Sequence, residues 1–187
     1  MRLSRELQGE KREPLPPKPG TAARQDYEYS RHGACNVFMG FEPLANKRHA
    51  FVHERRTRRE FAAVIKLLVD ELHPEAEQIV LVMDQLNTHS PASLYEAFPP
   101  EEARRLTKKL EIHYTPKHGS WLNMAEIELS VLQRQCLNRR LPTQEALAAE
   151  VVAWEQERNS AKAGIDWRFT TKDARIKLKH LYPSAQG

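Results

Sequence analysis

Hydrophobic positions along the chain repeat with two periods, and each change of period marks an element. One run is apolar throughout: Ile79-Val80-Leu81-Val82-Met83. Rich in β-branched residues and ended by Asp84, it predicts a central strand buried on both faces of an α/β sheet. Upstream, residues 36–41 alternate Val37, Met39 and Phe41 with Phe38 and Gly40, and residues 48–53 alternate Ala50 and Val52 with charged or aromatic neighbours. That period of two predicts an antiparallel hairpin, with Pro43 and Asn46 in its turn. Between hairpin and strand, Phe61, Val64, Ile65, Leu68 and Leu72 recur at helical spacing over 59–72. Thr57 is placed to cap this helix and Pro74 to stop it.

Beyond the central strand, residues 91–98 and 100–110 predict two short helices, each led by a proline that loses nothing at a helix start. Acids lead and bases end the second, as the helix dipole favours. Residues 110–115 predict a strand, with Ile112 and Tyr114 on one side. Ser120 is a plausible N-cap for a helix over 121–137, with Leu122, Ala125, Leu129, Leu132 and Cys136 on its inner face. Glu126 stands about 90° round that helix from the stripe, beside Asn123 and Gln133, and Glu128 flanks the other edge. Thr143 can cap a last long helix over 144–158, with Leu147, Val151 and Trp154 inward. The tail over 164–183 holds enough apolar residues, Trp167 and Leu178 among them, to dock. Residues 1–34 are polar and Pro-rich around Pro14 to Gly20, and predict an extended N-terminal segment with little core, followed by one domain over 35–187.

Composition narrows the class. At 187 residues, 40% hydrophobic and 29% charged, the chain suits a single globular domain. No apolar run approaches a membrane span, and no apolar stretch at the N-terminus suggests a secretory signal, so the expected location is cytoplasmic. Cys35 and Cys136 stand far apart in sequence without a C-x-x-C pair, which suits two buried thiols better than a zinc site. The charge of +4 favours an anionic partner. Its bases cluster at Arg55 to Arg59, Arg104 to Lys109, Arg134 to Arg140 and Lys172 to Lys179, each on its own compatible with a solvated helix face.

The chemistry on offer is carboxylate chemistry. Asp84 sits at the carboxyl end of the strand, where α/β sheets gather reactive groups, although an Asp there can also simply start a turn. Glu126 can be brought to the same edge, and two or three hard oxygen ligands are what Mg²⁺ takes. Spacing alone does not choose Glu126 over Glu128 or Glu111. His89 and His118 could orient a phosphate or water near that edge, or be ordinary loop histidines. No glycine-rich nucleotide loop is present.

The stretches Val82-Met83-Asp84-Gln85-Leu86-Asn87-Thr88-His89 and Thr115-Pro116-Lys117-His118-Gly119-Ser120-Trp121-Leu122-Asn123-Met124-Ala125-Glu126 resemble the second and third acidic motifs of bacterial insertion-sequence transposases of the mariner-like superfamily, the DDE endonucleases. The resemblance implies a ribonuclease H-like α/β fold, a mixed sheet flanked by helices, that cuts and joins DNA. It implies a metal site for two Mg²⁺ or Mn²⁺ ions held by Asp84 and Glu126, with Asn123, His89 and His118 in support. The implied partners are DNA, both transposon ends and target, with nucleoid association when bound; no membrane partner is implied, and a homodimer stays open.

Two departures modify these expectations. Gln85 stands where the family has Asn. The family's first Asp, at the end of the first strand, would fall near Met1, and of the nearby acids Glu6, Glu10 and Asp26, none follows an apolar run. The expectation is therefore a C-terminal piece lacking the first strand. A catalytically inactive DNA-binding or subunit-interaction remnant is the alternative, and a small-molecule α/β enzyme a third.

Overall fold

The computed structural model describes residues 2–24, 26–116, 119 and 122–179. Its elements are β1 (Arg2–Glu10), β2 (Tyr29–Glu42), β3 (Lys47–His53), α1 (Arg58–Leu67), β4 (Ile79–Met83), α2 (Ala92–Ala97), α3 (Pro100–Lys108), β5 (Leu110–Tyr114), α4 (Met124–Gln135), α5 (Gln144–Ser160) and α6 (Thr171–Lys177). The predicted hairpin is β2–β3, turned at Asn46, whose φ of 51° suits a short polar side chain that tolerates the left-handed region. Thr57 caps α1 in a reciprocal capping box with Glu60, and the helix widens into a π turn over Leu68–Leu72.

Within the polar N-terminal segment, residues 2–10 form a strand. Antiparallel pairing with β2 supplies the backbone with partners, and Leu7 is the one apolar side chain of this strand that is buried. The bridges Leu15 to Arg24 and Lys18 to Thr21 then fold the Pro-rich segment back on itself.

Two layers of helices sandwich the strands because β2 alternates. Cys35, Val37 and Met39 pack with Leu129 and Leu132 of α4 and Leu147 and Val151 of α5. Phe38, pointing the other way, joins Phe61 and Ile65 of α1, Met83, Leu94 and Leu106. Both cysteines are buried and free, and burial pushes both thiols up. In the tail, Leu178 is buried while Ile176 is exposed, and Leu181 lies outside the described residues. Among the described residues no helix is long and apolar enough to cross a membrane.

The expected single sheet is divided in two: β1-β2-β3 antiparallel, and β4-β5 parallel. The expected double burial of β4 is overturned as well. Met83 is buried, but Val80 is 61% and Val82 52% exposed. The described β1–β2 ladder ends at Arg2 and Phe38, and among the described residues β4 has only β5 as a strand neighbour. A cleft of about 290 Å³ therefore separates the sheets, lined by Phe38, Phe41, Phe61, Val80, Val82 and Ala125 among others. Among the described residues nothing covers Val80 and Val82, and that face of β4 opens to solvent.

Two polar networks hold the layers. Arg48 of β3 and Glu128 of α4 are both 0% exposed and joined at 2.9 Å, with Arg158 of α5 adding a bond to Glu128 at 3.3 Å. On the surface, Lys66 and Arg105 bind Asp70 and Glu102, linking the π turn to α3.

Glu128→Ala should lower the unfolding free energy by about 3–5 kcal/mol, because it leaves Arg48 buried without its counter-charge; a denaturant titration measures this. In the surface network, hydrogen bonds from Arg105 and then Lys66 hold Asp70 and Glu102 down to about 2, from ordinary values of 3.8 and 4.5. Depressed folded values stabilise above the unfolded ones, so this contribution is complete above about pH 4.5 and is lost as pH falls towards 2. Arg105→Ala should flatten the fall in stability over that acid window, measured by thermal melts at stepped pH.

Candidate active site

Asp84 is set by the strand before it. Met83 is anchored in the core, and the Thr115 N–H donates to its carbonyl at 2.9 Å, so the backbone is fixed up to the point where Asp84 emerges half-buried. A turn closed by the His89 N–H on the Leu86 carbonyl at 2.8 Å then brings the His89 ring back to Asp84. That ring is buried, stacks on Phe61 at 4.9 Å, and bonds one Asp84 carboxylate oxygen through Nδ1. The Tyr114 hydroxyl donates to the His89 carbonyl at 3.1 Å. Burial works against ionisation of Asp84, but the hydrogen bond and charge of His89 and the Leu86 N–H outweigh it, and the carboxyl lies below its ordinary value. With Asp84 ionised, His89 must donate from Nδ1, which fixes its tautomer if neutral.

Glu126 is set by the start of α4. The N-cap is Asn123, not Ser120, which lies outside the described residues, as does His118. Asn123 is buried and two-handed: its Oδ1 accepts from the Ala125 N–H at 3.0 Å, while its Nδ2 donates to the Val82 carbonyl at 3.4 Å. One side chain thus fastens the first turn of α4, which carries Glu126, to β4 two residues before Asp84. Glu126 is half-buried in that turn, where free N–H groups favour a negative charge.

Tertiary contacts also remove the competitors. Glu128 is committed to Arg48 and Arg158, and Glu111 is exposed on β5 beside His113 at 2.6 Å. The early acids point elsewhere too: Glu6 pairs with Arg31 at 3.2 Å, Glu10 with Arg140 at 2.6 Å, and Asp26 with Arg12 at 3.4 Å. Among the described residues, no three carboxylates or imidazoles gather closely enough around Asp84 to hold an ion unaided. The donors present are nonetheless hard oxygens on rigid elements, the type that suits Mg²⁺ or Mn²⁺.

Sequence reasoning gave no sign of Arg2. Its guanidinium donates to the Arg56 carbonyl at 3.0 Å and feels the charges of both Arg56 and Asp84. The start of β1 therefore brings a cation to the carboxylate, adjoining the exposed run Arg55 to Arg59. Other predicted basic residues are spent on ion pairs, Arg58 with Glu96, Arg139 with Glu150 and Arg140 with Glu10.

A family model for the DDE superfamily endonuclease matches residues 4–148, a span that includes Asp84, His89, Asn123 and Glu126. No curated protein and no solved structure matches the chain.

Replacing His89 by Phe keeps the ring stacked on Phe61 but removes the donor to Asp84. The burial of Asp84 then acts without opposition from its main partner, so its titration should move up from its depressed value. Carboxyl-carbon NMR of the two proteins over pH 2–7 checks the direction.

Proposed function

The chain belongs to the DDE superfamily of endonucleases, and from that premise we propose that it is the catalytic domain of an insertion-sequence transposase of the mariner-like kind, acting on DNA phosphodiesters. The family implies a ribonuclease H-like fold, a DNA substrate and divalent metal. The observation that carries the finer reading is the Asn123 bond to β4, because it draws the turn bearing Glu126 to the strand that ends in Asp84. Those two carboxylates would hold Mg²⁺ or Mn²⁺, two ions in a complete site. Bound there, metal ions activate the attacking oxygen and stabilise the leaving one.

The residues of this chain supply the rest. His89 keeps Asp84 ionised and oriented, and its buried stack on Phe61 prevents it from swinging away. Arg2 brings positive charge towards Asp84, where a DNA phosphate would approach, and its neighbour Arg56 with the exposed Arg55 and Arg59 extends that surface. The cleft between β2 and β4 supports one further strand, in line with β1 and parallel to β4, as the element that would carry a third acid. Two copies acting on two DNA ends in the nucleoid would suit the same chemistry.

A second reading, a catalytically inactive DNA-binding remnant, is favoured by one observation: no third ligand joins Asp84 and Glu126 among the described residues. Plasmid nicking separates the two. The chain should bind supercoiled plasmid with an affinity that falls about a thousandfold between roughly 50 and 200 mM salt if some six phosphates are neutralised. With Mg²⁺ or Mn²⁺ it should nick only at trace level. Robust nicking abolished by Asp84→Ala would mean that the chain supplies a complete site, and salt-insensitive binding would remove DNA as the partner.

A further inference from the structure

Three metal-ligating side chains meet at the other end of β4 from Asp84. Glu42 ends β2, His49 stands on β3, and His73 closes the π turn that leads towards β4. Their strands set this up: Gly40 pairs with His49, so the imidazole has no side chain opposite and can lean towards Glu42, two residues along the same face. His49 Nε2 lies 2.6 Å from Glu42 Oε1, and His73 Nε2 lies 3.5 Å from the same oxygen. All three donor atoms fall within 4.8 Å of one another. His49 is buried and its ring meets that of His73 edge to face at 6.2 Å. Glu155 adds negative charge nearby, its carboxylate accepting from the Ala50 N–H at 2.9 Å while interacting with His49.

From this geometry we propose that Glu42, His49 and His73 bind a borderline divalent transition ion, Zn²⁺ foremost, that clips the hairpin tip to the end of the helix before β4. Two imidazoles and one carboxylate with an open fourth position form a known type of zinc ligand set. Ligand bonds of about 2.0–2.1 Å put tetrahedral donors roughly 3.3 Å apart. The Glu42 to His73 spacing is already near that value, and the Glu42 to His49 contact must open by less than about 1 Å. Nitrogen donors select against Mg²⁺, so this site is chemically distinct from the carboxylates at Asp84 and Glu126. The π turn fits the role, because an inserted wide turn re-aims the residue that follows it, here His73.

The test uses the purified chain stripped of metal and titrated with Co²⁺ and with Zn²⁺. Co²⁺ should give the visible bands of a tetrahedral nitrogen and oxygen site without a thiolate charge-transfer band, and Zn²⁺ should raise the melting temperature. Excess Mg²⁺ should displace neither. His73→Ala, at a partly exposed position, should weaken Co²⁺ binding at least tenfold, as should Glu42→Gln, while Asp84→Ala leaves it unchanged. Unchanged affinity in both His73→Ala and Glu42→Gln, loss of binding in Asp84→Ala, or a cobalt–thiolate band pointing to Cys35 or Cys136 would each overturn the proposal. If His73→Ala does not fold, Glu42→Gln carries the same comparison.

Discussion

The buried charge pair of Arg48 and Glu128 is the constraint on which the layout depends. Its guanidinium donates to Glu128, to the Asn159 side chain and to the Ala163 carbonyl, and lies over the ring of Phe41 at 5.3 Å. Two charges out of water are tolerable only when every hydrogen-bonding atom has a partner, and that demand fixes β3, α4 and α5 against one another in one arrangement. Glu126, two residues before Glu128, is aimed by the same restraint.

A second restraint works at the start of α4. Asn123 satisfies the helix's first free N–H and a β4 carbonyl with one amide, so the helix terminus is tied to the very strand that presents Asp84. The site thus stands on rigid elements. Asp84 follows a core-anchored methionine, Glu126 follows a buried cap, and His89 is held by aromatic stacking. Such rigid support is what the proposed carboxylate site would need, since side chains that are to share a metal must not relax away from one another when their charges repel.

The strands show where the domain is open. β2 is covered by β1 along most of its length and β4 is covered by β5, yet between them lies a cleft edged by unextended ladders and walled by aromatic and aliphatic side chains. Val80 and Val82 are exposed on a strand whose Met83 is a core residue, so one face of β4 borders that cleft. Arg2, at the beginning of β1, lies close enough to Asp84 to feel its charge.

Local chemistry alone determined much of this protein. The alternation of β2 and β3, the Thr57 cap, the apolar run ending in Asp84 and the cap at Thr143 are all readable because strand and helix periods and cap side chains act over a few residues, whereas the cap of α4 falls on Asn123 and not on the expected Ser120. The nearness of His89 to the end of the Asp84 strand was legible because five residues separate them, but its hydrogen bond to the Asp84 carboxylate was not. Tertiary structure decided the rest. Which of Glu126 and Glu128 stays available depended on Arg48, eighty residues away, and no helical periodicity contains that partner. The strand at residues 2–10 forms because β2 completes its hydrogen bonds, despite a polar sequence. The exposure of Val80 and Val82 depends on what lies across the sheet, which a strand's own residues do not encode, and so does the nearness of Arg2 to Asp84.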